Sequence, residues 1–127
     1  MTSAAEELRT AIVARLKASE GFSTGVKGRI FEKEPRDFPF AWVGVTVADP
    51  TQELIELLVT VHIWERSGHE AVSRLVEGAL AALGSPPALA THAIVSWEPD
   101  YSEVRRNDDD LAYRGLVRFR ARAASND

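Results

Sequence analysis

The most constraining stretch of this chain is residues 54–64, where apolar side chains recur at every second position. Ile55, Leu57, Val59, Val61 and Ile63 share one parity, while Glu56, Thr60 and His62 share the other. A period of two sends successive side chains to opposite faces of a strand. The run therefore specifies a sheet with one apolar face, and that face needs a covering layer. Two segments have the pattern to supply it. Ser3 and Glu6 stand at capping-box spacing, and Leu8, Ile12, Val13 and Leu16 follow at helical intervals, predicting a helix over 4–18. Ser67 and Glu70 repeat that spacing ahead of Val72, Leu75, Val76, Ala79, Leu80 and Leu83, predicting a second amphipathic helix. Gly84 and Pro86-Pro87 end it.

Further strands are predicted at 29–33, at 40–47 with Val43, Val45 and Val47 on one face, and at 89–98 with Ala93, Val95 and Trp97 together. A last strand covers 111–123. Tyr113, Val117, Phe119 and Ala121 take one of its faces, and Arg114, Leu116, Arg118, Arg120 and Arg122 the other. Gly21 and Gly25 read as stop and turn residues after the first helix, Pro35 and Pro39 as marks of an extended loop, and 100–110 as a long exposed acidic loop. The order α-β-β-β-α-β-β, with short connections, predicts an α+β fold. Its sheet is mostly antiparallel, of four to five strands, with two helices packed on one face, and residues 1–127 form a single domain.

Composition removes several function classes. With no cysteine, a disulfide framework, a thiolate zinc site and a cysteine nucleophile are excluded. A formal charge of −4 argues against a general nucleic-acid binder. No apolar run reaches the roughly 18 residues that span a bilayer, so no membrane partner is expected. Met1 to Glu7 lacks a secretory leader's basic and apolar regions, which predicts a protein made in the cytoplasm. The charge is nevertheless polarised. Residues 49–103 carry nine acids and two bases, whereas 111–123 carry four arginines and no acid. Such a distribution favours ordered contact between unlike surfaces.

Catalytic and ligand motifs fail on context. Gly21-Phe22-Ser23-Thr24-Gly25 has the G-x-S-x-G form, but a helix precedes it and a strand follows, the reverse of a nucleophile elbow. His62, His69 and His92 are scattered, and His62 reads as a hydrogen-bonded strand histidine. The glycines match no phosphate loop, and Asp108-Asp109-Asp110 lacks the calcium-loop pattern. Arg114-Gly115 begins like an RNA-binding sheet signature but lacks the stacking aromatics. No catalytic residue, metal site or cofactor is therefore expected. Trp42 reads as packing, while Trp64 and Trp97 read as packing or as interface anchors.

Several blocks taken in order carry a resemblance. They are Arg29-Ile30-Phe31, Pro35, Phe38-Pro39-Phe40, a valine-rich strand around Gly44, and Val59-Thr60-Val61-His62-Ile63-Trp64. A Ser67-Gly68 turn, a helix closing on Leu80 and Leu83, and Tyr113 to Arg120 complete the series. Over residues 8–122 the chain resembles the tail-completion, or tail-terminator, family of long-tailed bacteriophages and gene-transfer agents. The resemblance implies a structural virion subunit and no enzyme. Its copies would form a ring, usually a hexamer, at the head-tail junction, capping the tail tube and joining it to the head. It implies a tail tube protein and a head-connector or stopper protein as partners, with DNA passing through the ring without being read. The alternatives are a head-side connector subunit or, further off, a small nucleic-acid-binding module. The expected interface residues are Arg114, Arg118, Arg120, Arg122 and Trp64, with Pro35, Phe38, Pro39, Asp108, Asp109 and Asp110 facing neighbouring proteins.

Overall fold

The computed structural model describes residues 3–32, 38–49, 54–107 and 112–125. Its elements run α1 (Ala4–Ala18), α2 (Glu20–Gly25), β1 (Ile30–Phe31), β2 (Phe40–Asp49), β3 (Leu54–Glu65), α3 (His69–Ala82), β4 (His92–Asn107) and β5 (Ala112–Ser125). The five strands form one sheet in the order β1-β2-β3-β5-β4. The β1–β2 pairing is parallel, and the β2–β3, β3–β5 and β5–β4 pairings are antiparallel. The fold is thus α+β with a mixed, mostly antiparallel sheet. The short helix α2 makes a third helix where sequence reading expected two.

The period-two rule is met along β3. Leu57, Val59, Val61 and Ile63 are each 0% exposed and pack with Val43 and Val45 of β2 and with Val117, Phe119 and Ala121 of β5. Leu8, Ile12 and Leu16 of α1 and Val72, Leu75, Val76 and Ala79 of α3 complete the same core. α1 lies against β1, β2 and β3, and α3 against β3, β5 and β4. The core is therefore a single layer between helices and sheet, and among the described residues the opposite sheet face carries no helix.

Local chemistry explains the boundaries. The Ser3 hydroxyl caps α1 by accepting from Glu6 N–H at 3.1 Å. At α3 the cap differs from expectation. Gly68, at φ 149°, is the N-cap, and Ser67 donates its hydroxyl to Glu65 at 2.7 Å instead. Gly21 does not end α1. It lies inside α2, and the turn comes at Lys27 and Gly28, both at positive φ. Gly84 follows the C-cap Leu83.

β4 departs most from the sequence reading. Residues 100–107 continue as strand paired with β5, not as a loop, because their backbone groups find a ladder and Val104 packs against the core. A bulge between Ile94 and Ser96 separates the trio grouped from sequence. Val95 is 56% exposed, while Trp97 turns inward, stacks on Phe119 at 4.8 Å and donates to Leu83 C=O at 2.8 Å. Trp97 is a packing residue. A second bulge at Pro99/Tyr101 keeps proline on this edge strand.

A polar clamp fastens the start of β4 to α1. Glu7, 7% exposed at its side chain, accepts from Thr91 N–H and His92 Nδ1, both at 2.8 Å, and from the Thr91 hydroxyl. The Thr91 bonds, with His92 adding less, hold the Glu7 carboxyl at about 2, below its ordinary 4.5. The unfolded chain then binds the proton more readily, so this contribution is complete above about pH 4.5 and fades as pH falls toward 2. Glu7→Gln is expected to lower stability at neutral pH and to flatten the pH dependence of urea midpoints between these limits.

Close approach of α3 to β5 depends on Gly115. A Cβ there would lie 2.7 Å from Val76 Cγ2 and 2.9 Å from Val72 Cγ1. Those valines are rotamer-restricted and buried, so α3 would have to move. Gly115→Ala is expected to destabilise by about 1–3 kcal/mol in chemical denaturation. Val76→Ala, in the same chain, should recover part of that loss.

Candidate assembly face

The helix-free face is laid out in cross-strand rows. Phe40 lies opposite Trp64, which lies opposite Arg114, and Arg114 lies opposite Arg105. The next row is Trp42, His62, Leu116 and Glu103; then Gly44, Thr60, Arg118 and Tyr101; then Thr46, Leu58 and Arg120, with Glu98 at the edge. Glu56, Arg122 and Ser96 follow. One half of the face is thus aromatic and the other charged.

In the aromatic half, Phe38, Phe40 and Trp64 have ring centroids 5.6–6.4 Å apart. Arg66 stands 4.3 Å over the Phe38 ring and Arg114 5.9 Å from Trp64. Trp42 stacks on His62 at 4.1 Å with the rings 7° from parallel. Trp42 is accordingly half-buried packing on this face, and stacking holds the His62 ring in place of the hydrogen bond expected from sequence. Burial, followed by the Arg114 and Arg118 charges, depresses the His62 pKa from 6.5 to about 4. A neutral imidazole is therefore built into the folded face.

In the charged half, carboxylates of the same chain already hold three arginines. Arg120 reaches Glu56 at 3.2 Å and Asp100 at 3.9 Å, and Arg114 reaches Glu103 at 3.6 Å. Glu103 also takes Arg105 at 3.2 Å and the Tyr101 hydroxyl at 2.7 Å. The Tyr101 bond, then the arginines, lower the Glu103 pKa, and the same bond raises that of Tyr101. Arg118 and Arg122 have no ion-pair partner among the described residues, and Arg122 is exposed.

The structure therefore brings Arg114, Arg118, Arg120, Arg122, Trp64, Phe38 and Pro39 onto or beside one face. Pro35, Asp108, Asp109 and Asp110 lie outside the described residues. The partners Glu56, Asp100 and Glu103 were missed as site residues, since cross-strand neighbours are invisible until register is known. Glu65 was also missed, although it extends the buried parity of residues 55–63, a signal present in the sequence. Ser23 sits within α2, away from any strand-to-helix elbow. Among the described residues, no group of three acids and histidines is placed to hold a metal ion. No helix among them is long and apolar enough to cross a membrane.

A sheet covered on one side and chemically varied on the other defines a small α+β subunit built around a surface. The chain belongs to the tail completion protein gp17 family, whose model matches residues 10–124. That family is a structural class of phage tail proteins and not an enzyme class. The fold is similar to that of a chain in the virion of a native gene transfer agent, with TM-score 0.82, 19% identity, and coverage of 97% of this chain and 98% of that one. It is also similar to the gp17 protein of bacteriophage SPP1, with TM-score 0.64, 17% identity, and coverage of 93% and 89%. No curated protein matches the sequence.

The depressed pKa of the half-buried His62 is directly measurable. Its unfolded form takes up a proton near pH 6.5 and its folded form only near 4, so stability from this group is complete above 6.5 and falls between those values. NMR titration of the imidazole is expected to show a midpoint near pH 4, and Trp42→Ala should move it toward 6.5 by opening the ring to water.

Proposed function

We propose that this chain completes a phage-like tail by closing the end of its tube as a ring of six copies, and that the ring joins tail to head within the particle. Membership of the tail completion family over residues 10–124 carries the reading. The likeness to a gene transfer agent virion chain and to SPP1 gp17 supports a place in the particle at the head-tail junction. A ring also requires two unlike surfaces that match between copies. The arginine-bearing open face is one, with an acidic surface of the next copy as its counterpart. The tail tube and a head-side connector protein are the neighbours, Phe38, Pro39 and Trp64 lie at their contacts, and DNA passes through the ring without base readout. Pro35 and the Asp108–Asp110 run are proposed to serve the same contacts.

Electron microscopy of particles made without the protein tests the reading. Overlong or unjoined tails are expected, whereas normal tails beside leaking heads would assign the chain to the head side. Arg118→Glu with Arg122→Glu is expected to leave a folded chain, since neither arginine forms an ion pair among the described residues. The same variant should block joining of tails to heads, and wild-type numbers of joined particles would remove the arginine face from the interface.

A further inference from the structure

At the end of β3 lies a feature the open face does not use. Glu65 is 7% exposed and faces the helical side of the sheet. Its Oε1 accepts from Arg66 N–H and Ser67 N–H at 2.8 Å and from the Ser67 hydroxyl at 2.7 Å, fixing the turn into α3. Its Oε2 is buried with no hydrogen-bond partner among the described residues. A buried carboxylate oxygen without a donor is the unfavourable half of an interaction. Glu65 also lines a cleft of about 360 Å³ walled by Gly21 and Gly25 of α2, Ala71 and Leu75 of α3, and Pro39. A cleft bounded by small and apolar residues with one unpaired anion suits a flat cation. Arg74 and Lys27 also border it. Arg74 is directed to Glu70 at 3.8 Å, and neither cation forms an ion pair with Glu65.

We propose that the Glu65 cleft receives an arginine guanidinium from a neighbouring copy, with Arg122 of that copy as the donor. A guanidinium offers planar, paired N–H donors to a carboxylate and tolerates burial better than an ammonium. Arg122 is exposed, lacks an ion pair among the described residues, and lies on the face opposite the cleft. Cleft and donor therefore sit on opposite sides of one subunit, as a contact that repeats around a ring requires. This inference deepens the ring reading and rests on it for the source of the guanidinium.

Glu65→Gln separates the two roles of the side chain. The amide oxygen keeps the bonds to residues 66 and 67, while an NH2 group replaces the second oxygen and its N–H donors repel a guanidinium. The variant should keep the wild-type melting curve. Methylguanidinium titrated into the monomer is expected to shift the Gly21, Gly25 and Ser67 amide signals, and Glu65→Gln should abolish that response. No saturable shift in the wild type would overturn the cleft as a guanidinium site. In sedimentation, Glu65→Gln and Arg122→Gln should each weaken self-association by about tenfold or more, with the double variant no weaker than either. Arg122→Gln should leave methylguanidinium binding unchanged. Additive losses, or Glu65→Gln assembling like wild type, would overturn the pairing. A wild-type chain that binds methylguanidinium but never self-associates would overturn both the neighbouring copy as donor and the ring reading.

Discussion

Register between β3 and β5 governs the chemistry of everything else in this molecule. Val61 lies opposite Val117 and Thr60 opposite Arg118. A slip of one residue would drive Arg118, Arg120 and Arg122 beneath the helices and expose Val117, Phe119 and Ala121. Burying one unpaired arginine outweighs the gain from any single apolar contact. The alternating pattern thus selects one pairing, and that pairing places α3 over Gly115 and the arginines on the free face.

The same register decides how much of the polarised charge remains for other molecules. Sequence alone shows an acidic middle and a basic last strand, which suggests contacts between copies. Folding brings part of the acidic segment alongside the arginines within one chain. Glu56, Asp100 and Glu103 take up Arg120 and Arg114 at 3.2–3.9 Å. Such partly exposed pairs contribute about 0.2–1 kcal/mol each, so they orient side chains more than they hold the fold. What remains is narrower than the sequence suggested: Arg118 and Arg122.

Elements with internal periodicity were legible. The α1 bounds, the two faces of β3 and β5 and the single apolar layer follow from spacing alone. Other features were not, and three of them show why. The strand at 100–107 has charged, irregular sequence and exists because β5 offers it a ladder. The α3 cap falls on Gly68 because Glu65 captures the Ser67 hydroxyl. Trp97 separates from Val95 because a bulge breaks the alternation. Each depends on a partner distant in sequence or on local backbone geometry, and neither is encoded in a periodic pattern. For the candidate site, residue identity was legible, whereas the division of its arginines into paired and unpaired was not.

A free face of this kind is consistent with function at an interface. The aromatic half supplies rigid area of low conformational entropy, with Phe38, Phe40 and Trp64 already packed together. In the charged half, Arg114 and Arg120 are held by carboxylates of the same chain, so less of their side-chain freedom remains to be lost on docking. Alternating acids and arginines have small net charge, which limits long-range attraction but penalises a misaligned partner through like-charge contact. A surface so composed selects geometry over affinity. A partner docked in the wrong register meets like charge, so the face favours one relative placement of whatever docks on it.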